Sequence, residues 1–312
     1  MLKWHSHVLS ASFFKQIENH HAYLFYSPSE NEAMYAGNFV IKKILCSNRG
    51  DIPCATCENC RLELHENPHV RIIEKNPELK TEIINVDQLR DVKDFIQLSA
   101  GENEKKIIFI VNANYMNSSA ANSLLKNLEE PPQNTIFILT TSNKARLLPT
   151  ILSRTFQVDL PNPTLKEGEE YLLSTNNKDA VQYLSLADGN PFHAIDYAQN
   201  QDSIETELDI LQRGKKFDFN EVGDQLLLNG LPFFIEILQK WIYDLMACID
   251  FNQITYFKDK ENYMKQIVPT VSKKEVLNFY KKIIDYKRIS STQINKSITL
   301  DNIMLDYLRI FK

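Results

Sequence analysis

At 312 residues the chain is long enough for two or three domains, and 43% hydrophobic with 24% charged residues is the make-up of a globular protein with a real core. A net charge of -5 gives no ground for strong autonomous binding to nucleic acid, and only 8 glycines argue against glycine-rich loops. No run reaches the roughly 18 apolar residues needed to cross a bilayer; Met1 to His7 lacks the apolar core of a signal peptide. The chain is therefore expected in the cytoplasm with no membrane partner.

The first 160 residues alternate short apolar runs with helical patterns. Residues 22–26, 70–73, 107–111 and 136–140 predict strands. The last two are nearly continuous in β-branched and aromatic residues, which suits strands buried on both faces of a parallel sheet. Val86, Leu89, Val92 and Ile96 recur at helical spacing, as do Ala121, Leu124, Leu125 and Leu128, and Pro131-Pro132 stops the second helix. Such alternation predicts an α/β domain. Ser153-Arg154 is expected to end a strand-like segment. Pro161-Asn162-Pro163 then breaks the pattern and marks the end of the first domain, 1–160.

Residues 161–205 predict a small helical domain, and strand signals fade from 206 to 312. There Leu231, Phe234, Ile235, Leu238, Ile242 and Leu245 form one apolar helical face. Val276, Phe279, Tyr280 and Ile283 form a second, and Leu300, Ile303, Met304, Tyr307 and Leu308 a third. These stripes predict core. Residues 251–312 carry 12 Lys and Arg against 6 Asp and Glu. That basic balance suits a solvated helical surface, or one that meets DNA or an acidic partner.

Cys46, Cys54, Cys57 and Cys60 follow the spacing C-x7-C-x2-C-x2-C. Thiolates three residues apart in a tight turn converge on one ion, and four of them fill the tetrahedral shell of a structural zinc site, leaving no room for a catalytic water. In a reducing compartment such thiols mean metal or redox chemistry rather than a disulfide framework. His65 and His69 lie nearby, but four thiols already complete the shell. Cys248 belongs to a core helix.

The segment Asn122-Ser123-Leu124-Leu125-Lys126-Asn127-Leu128-Glu129-Glu130-Pro131-Pro132, the cysteine insertion, and Leu148-Pro149-Thr150-Ile151-Leu152-Ser153-Arg154-Thr155 together resemble the bacterial DNA polymerase III clamp-loader family, a branch of the AAA+ ATPases. The resemblance is specific over the first 160 residues and architectural beyond them. It implies a RecA-like parallel-sheet domain with a zinc knuckle, a small helical lid and a C-terminal helical collar.

A working member carries G-x-x-G-x-G-K-[ST] after its first strand, where amides and the lysine hold phosphates. Here the matching stretch is Ser27-Pro28-Ser29-Glu30-Asn31-Glu32-Ala33-Met34. Glu30 and Glu32 replace glycines, Ala33 the lysine, and Met34 the magnesium-binding hydroxyl. Two carboxylates facing a polyphosphate would repel it. The Asp-Glu pair expected after residues 107–110 is Val111-Asn112, and Phe192 stands where a sensing arginine is usual. No bound nucleotide and no intrinsic ATPase are expected.

Ser153-Arg154 is retained. The resemblance implies that Arg154 reaches the γ-phosphate of a neighbouring subunit's ATP as an arginine finger, with Ser153 beside it. It further implies gamma/tau and delta subunits as partners in a hetero-pentamer, and indirect contact with the sliding clamp and primer-template DNA. Asn122 and Lys126, one turn apart, face a neighbour, DNA or solvent. Two alternatives stay open: a divergent ATP-hydrolysing gamma/tau-type subunit, and a zinc-dependent nucleic-acid-binding module. The knuckle's basic neighbours are few: Lys42, Lys43, Arg49 and Arg61.

Overall fold

The structure, a computed structural model, describes residues 1–17, 19–48, 50–75, 83–97, 105–216, 225–290 and 295–312. Arg49 lies outside the described residues. The chain divides into two compact units, Met1–Pro163 and Thr164–Lys312.

In the first unit, α1 (Ala11–Gln16), β1 (Ala22–Tyr26), α2 (Glu30–Leu45), α3 (Glu58–Arg61), β2 (Val70–Ile73), α4 (Val86–Gln97), β3 (Lys106–Ile110), α5 (Ser118–Glu129), β4 (Thr135–Thr141), α6 (Pro149–Leu152) and β5 (Phe156–Asp159) follow in order. The strands form one parallel sheet in the order β2-β3-β4-β1-β5. Every residue of β3 and β4 is buried, as their unbroken apolar runs predict. Successive side chains alternate between faces. Ala22 and Leu24 join Ile108, Phe137 and Leu139 in a core that includes Leu89 and Val92 of α4 and Leu124 and Leu128 of α5. Tyr23 and Phe25 join Ile107, Phe109 and Ile138 in a second core with Val40 and Ile41 of α2. The result is the expected α/β sheet covered by helices on both faces.

Two local expectations change. Ser153-Arg154 does not end a strand: it follows the one-turn helix α6, started by Pro149, and precedes β5. β5 itself pairs with β1 at the sheet's edge and escapes sequence patterning, because Phe156, Gln157 and Asp159 are exposed and only Val158 is buried. An edge strand needs only one covered position to hold its register.

The second unit contains α7 (Leu165–Ser174), α8 (Pro191–Gln199), α9 (Gln201–Arg213), α10 (Leu231–Phe251), α11 (Glu261–Ile267), α12 (Lys273–Ile289) and α13 (Lys296–Leu308). Thr164 and Glu167 form a reciprocal capping box that starts α7. One core runs from Leu172 to Ile310 around Trp241 and Tyr307, and it takes in the buried members of all three predicted faces. The predicted boundary at 205/206 falls inside α9, with this core continuous across it. Cys248 is buried in the same core. No helix among the described residues is long and apolar enough to cross a membrane.

Glu207 of α9 is fully buried, and neither carboxylate oxygen has a hydrogen-bond partner among the described residues. Burial pushes its carboxyl up to about 8 from its ordinary 4.5. The folded state thus favours the protonated form, so the contribution of Glu207 to stability is complete below pH 4.5 and is lost as pH rises through about 8. Glu207→Gln is expected to raise the calorimetric melting temperature at pH 8 and leave it almost unchanged at pH 4. Equal shifts at both pH values would contradict this account.

Candidate functional site

The C-terminal ends of β1, β3 and β4 meet where α2 begins. In open parallel sheets that edge is the ordinary place for a ligand. The turn Ser27–Ser29 leads from β1 into α2, and the helix starts at Glu30, with Ser29 Oγ accepting from the Glu32 amide at 3.3 Å. Ser27 Oγ accepts from the Ser29 amide at 3.1 Å, and the Ala33 amide is bonded to the Ser29 carbonyl at 3.0 Å. The amides of Ser29, Glu32 and Ala33 are thus all bonded within the turn and the first turn of α2.

Both glutamates are bonded to side chains of the chain itself. Glu32 is fully buried. Its Oε1 accepts from Trp4 Nε1 at 2.6 Å and lies 3.0 Å from His5 Nε2; its Oε2 accepts from Ser27 Oγ at 2.5 Å. Trp4 and His5 are themselves buried in the short 3-10 turn Lys3–His5. Burial alone pushes the Glu32 carboxyl up, but the hydrogen bonds from His5, Ser27 and Trp4 outweigh it and hold it below its ordinary value. Ala33 is fully buried and Met34 half-buried against the core on that face. Pro28 alone in the turn is exposed.

Glu30 enters a second network. Its Oε2 accepts from Asn112 Nδ2 at 2.8 Å; its Oε1 accepts from Tyr115 Oη at 2.7 Å and Ser142 Oγ at 3.3 Å. Asn112 sits just beyond β3 in the left-handed region (φ 52°), which Asn tolerates better than most residues. Its amide donates to Thr140 Oγ1 at 2.9 Å. A carboxylate at position 112 would face that of Glu30; an amide donates to it instead. The two departures from an ATPase pattern therefore compensate one another.

Arg154 lies in a third cluster. The Ser153 hydroxyl donates to the Thr150 carbonyl at 3.1 Å. Arg154 Nη1 donates to the same carbonyl at 3.1 Å and to Ser153 Oγ at 3.3 Å, while Nη2 pairs with Glu129 Oε1 at 2.7 Å. The arginine side chain keeps 35% of its surface exposed. Thr155 is buried and donates to the Ile151 carbonyl at 3.0 Å. From the sequence, the Glu129-Glu130-Pro131-Pro132 end of α5 reads as an interface segment or a helix stop, and the partner of Glu129 lies beyond reach of local patterning. In the other unit, Phe192 lies in the first turn of α8, its amide held by the Asn190 cap, and its ring packs on Tyr171 at 5.4 Å.

Cys46 follows α2, Cys54 and Cys57 lie in the next loop, and Cys60 is on α3. Their four Sγ atoms lie within 4.8 Å of one another, and those of Cys54 and Cys60 are 3.9 Å apart. Tetrahedral zinc at about 2.3 Å from each sulfur requires edges near ~3.8 Å, so the cage has the size for such an ion. Ala55 takes φ 58° to close the Cys54–Cys57 turn, and the amides of Cys54 and Cys57 donate to Cys46 Sγ (3.4 Å) and Cys54 Sγ (3.3 Å). Hydrogen bonds, chiefly from the Thr56 side chain and backbone, bring the Cys54 thiol down to about 5, towards the thiolate a metal needs. Neither His65 nor His69 joins the cluster. Four close cysteines can hold a metal ion. A separate, largely apolar cavity of about 540 Å³ runs beside α2, lined by Met34, Phe39, Lys42, Ile52 and Phe109 among others.

A parallel sheet in the order β2-β3-β4-β1-β5, with helices on both faces and α2 entering from β1, is an AAA+-like fold. The family model described as "DNA polymerase III, delta subunit" matches residues 6–164, about half of the chain. The chain belongs to that family, on its delta prime branch of clamp-loader subunits. It is 33% identical over 193 residues to the DNA polymerase III subunit delta prime of Haemophilus influenzae, covering 61% of this chain and 58% of that one. It is 29% identical over 268 residues to the subunit of the same name from Buchnera aphidicola, covering 83% and 76%. The chain thus spans little more than half of the first relative's length and about three quarters of the second's. A solved gamma subunit-related protein from Thermotoga maritima covers 97% of this chain and 99% of its own, with 18% identity and a TM-score of 0.48.

Because Glu32 is held below its ordinary 4.5, its contribution to stability is complete above that pH and is lost as pH falls through the depressed value. Glu32→Gln is expected to lower stability at pH 7 and to flatten the acid limb below pH 4.5 in urea titrations. Parallel acid limbs for the two proteins would refute the assignment.

Proposed function

We propose that the chain is a non-hydrolysing scaffold subunit of a DNA polymerase III clamp loader, lending Arg154 to the ATP site of a neighbour. The observation that carries the proposal is the burial of Glu32 in the phosphate turn, with Ala33 and Met34 where lysine and hydroxyl would stand. A carboxylate closed into that turn by Trp4, His5 and Ser27 competes with any phosphate for the same donors. With Asn112 after β3, the site also lacks a carboxylate there to hold magnesium or orient water.

Arg154 supplies what the chain itself does not use. A guanidinium brought to a γ-phosphate stabilises the charge that develops as the phosphoryl group transfers. Ser153 accepts from it and keeps it near the end of α6. The lid and the collar both come from the second unit, Thr164–Lys312, where α9 and one core run across position 205/206. The partners are gamma/tau and delta subunits in a hetero-pentamer; the sliding clamp and primer-template DNA are met through the assembly, in the cytoplasm. Zinc in the Cys46, Cys54, Cys57 and Cys60 cage staples the insertion after α2 and takes no part in chemistry.

Three measurements test this. In a clamp loader reconstituted with ATP-competent subunits, Arg154→Ala is expected to slow DNA-stimulated hydrolysis at the adjoining site by about 10³-fold or more with assembly intact; unchanged hydrolysis removes the finger. Tight ATP-magnesium binding to the isolated chain would revive a gamma/tau-type ATPase. Purified protein is expected to release one zinc ion per chain on thiol modification, and Cys57→Ser to carry much less and melt earlier; a metal-free wild type with the same melting temperature would contradict the staple.

A further inference from the structure

We propose that Glu129 is a positioning residue for Arg154; this rests on the finger assignment above and extends it to a second side chain. α5 ends at Glu129, and Pro131-Pro132 follow. Glu129 and Glu130 put two negative charges at a helix C-terminus, where the partial charge of the backbone favours a cation. A local choice that opposes helix electrostatics calls for a compensating contact. For Glu129 the contact is Arg154, Nη2 to Oε1 at 2.7 Å, twenty-five residues on and across β4 and α6.

This pair contributes little to fold stability. Half of the Glu129 side chain and a third of that of Arg154 are exposed, and exposed ion pairs are worth little. Its effect is directional. The Thr150 carbonyl and Ser153 Oγ hold Nη1, and Glu129 holds Nη2. Three contacts from the chain's own residues hold a long, flexible side chain: two hydrogen bonds from Nη1 and the ion pair of Nη2 with Glu129. Its remaining N–H groups make no hydrogen bond among the described residues and are left to meet an oxyanion. A guanidinium already oriented loses less freedom when a phosphate arrives, and the benefit falls on the transition state, where charge develops. Because Glu129 is bound through one oxygen only, it steadies the group without covering it.

The test is steady-state ATP hydrolysis by the reconstituted clamp loader on primer-template DNA, with assembly verified by native mass spectrometry. Glu129 is exposed at a helix end, so alanine there leaves the core intact. Glu129→Ala is expected to lower kcat, by up to about 10²-fold as for a misplaced catalytic group, with KM for ATP unchanged. Glu129→Gln keeps an acceptor oxygen and is expected to restore most of the rate. In the Arg154→Ala background, Glu129→Ala is expected to add nothing, because it acts through the arginine. If Arg154→Ala slows hydrolysis while Glu129→Ala leaves kcat unchanged or raises it, positioning is wrong and the finger stands. Additive losses in the double variant overturn positioning as well. If Arg154→Ala has no effect, the finger falls and takes this inference with it.

Discussion

The carboxylate of Glu32 has no access to water. An ionised carboxyl in that position persists only if its lone pairs are met, since leaving a buried charge short of a partner costs on the order of 3 kcal/mol. Trp4, His5 and Ser27 meet it, and they come from two places: the turn near the start of the chain and the loop after β1. One side chain therefore ties the opening 3-10 turn to the first strand and to the first turn of α2. Gly37, two turns along α2, lets that helix sit close to the sheet: a Cβ there would stand 2.8 Å from the Phe109 ring. Closure of the phosphate turn and close seating of the helix act together.

The Glu30 network follows the same logic with neutral donors. Asn112, Tyr115 and Ser142 converge on it from beyond β3 and β4. In a nucleotide-binding relative of this fold, that ground belongs to metal and phosphate. Here a carboxylate and an amide bond each other across it. Glu30 has both its oxygens met by these donors, while Asn112 Oδ1 is buried without a hydrogen-bond partner among the described residues. Such bonding suits a subunit whose proposed task is to present Arg154 to a neighbour.

Much of the architecture was legible in the sequence. Strands β1 to β4 and the faces of α4, α5, α10, α12 and α13 follow from unbroken or periodic apolar residues, because burial on two faces or one leaves that imprint. β5 did not, since one buried residue in four makes no pattern. The short helix α6 was also missed, although Pro149 is a favourable first helical residue, because four residues are too few to show a period. Of the candidate sites, the cysteines were the most legible. Their spacing brings them to one turn and the end of one helix, so local geometry nearly suffices to converge them.

The sequence alone determined which chemical groups are present: four thiols at knuckle spacing, a phosphate turn without lysine or hydroxyl, an arginine after α6. Tertiary structure decided where those groups point. Glu32 meets Trp4 across 28 positions, and Glu30 meets Asn112 and Ser142 across 82 and 112. Nothing in a linear pattern distinguishes a glutamate that repels phosphate at the surface from one that replaces it inside. The difference lies in which donors the folded sheet brings to its C-terminal edge, and only packing of strands distant in the chain sets that.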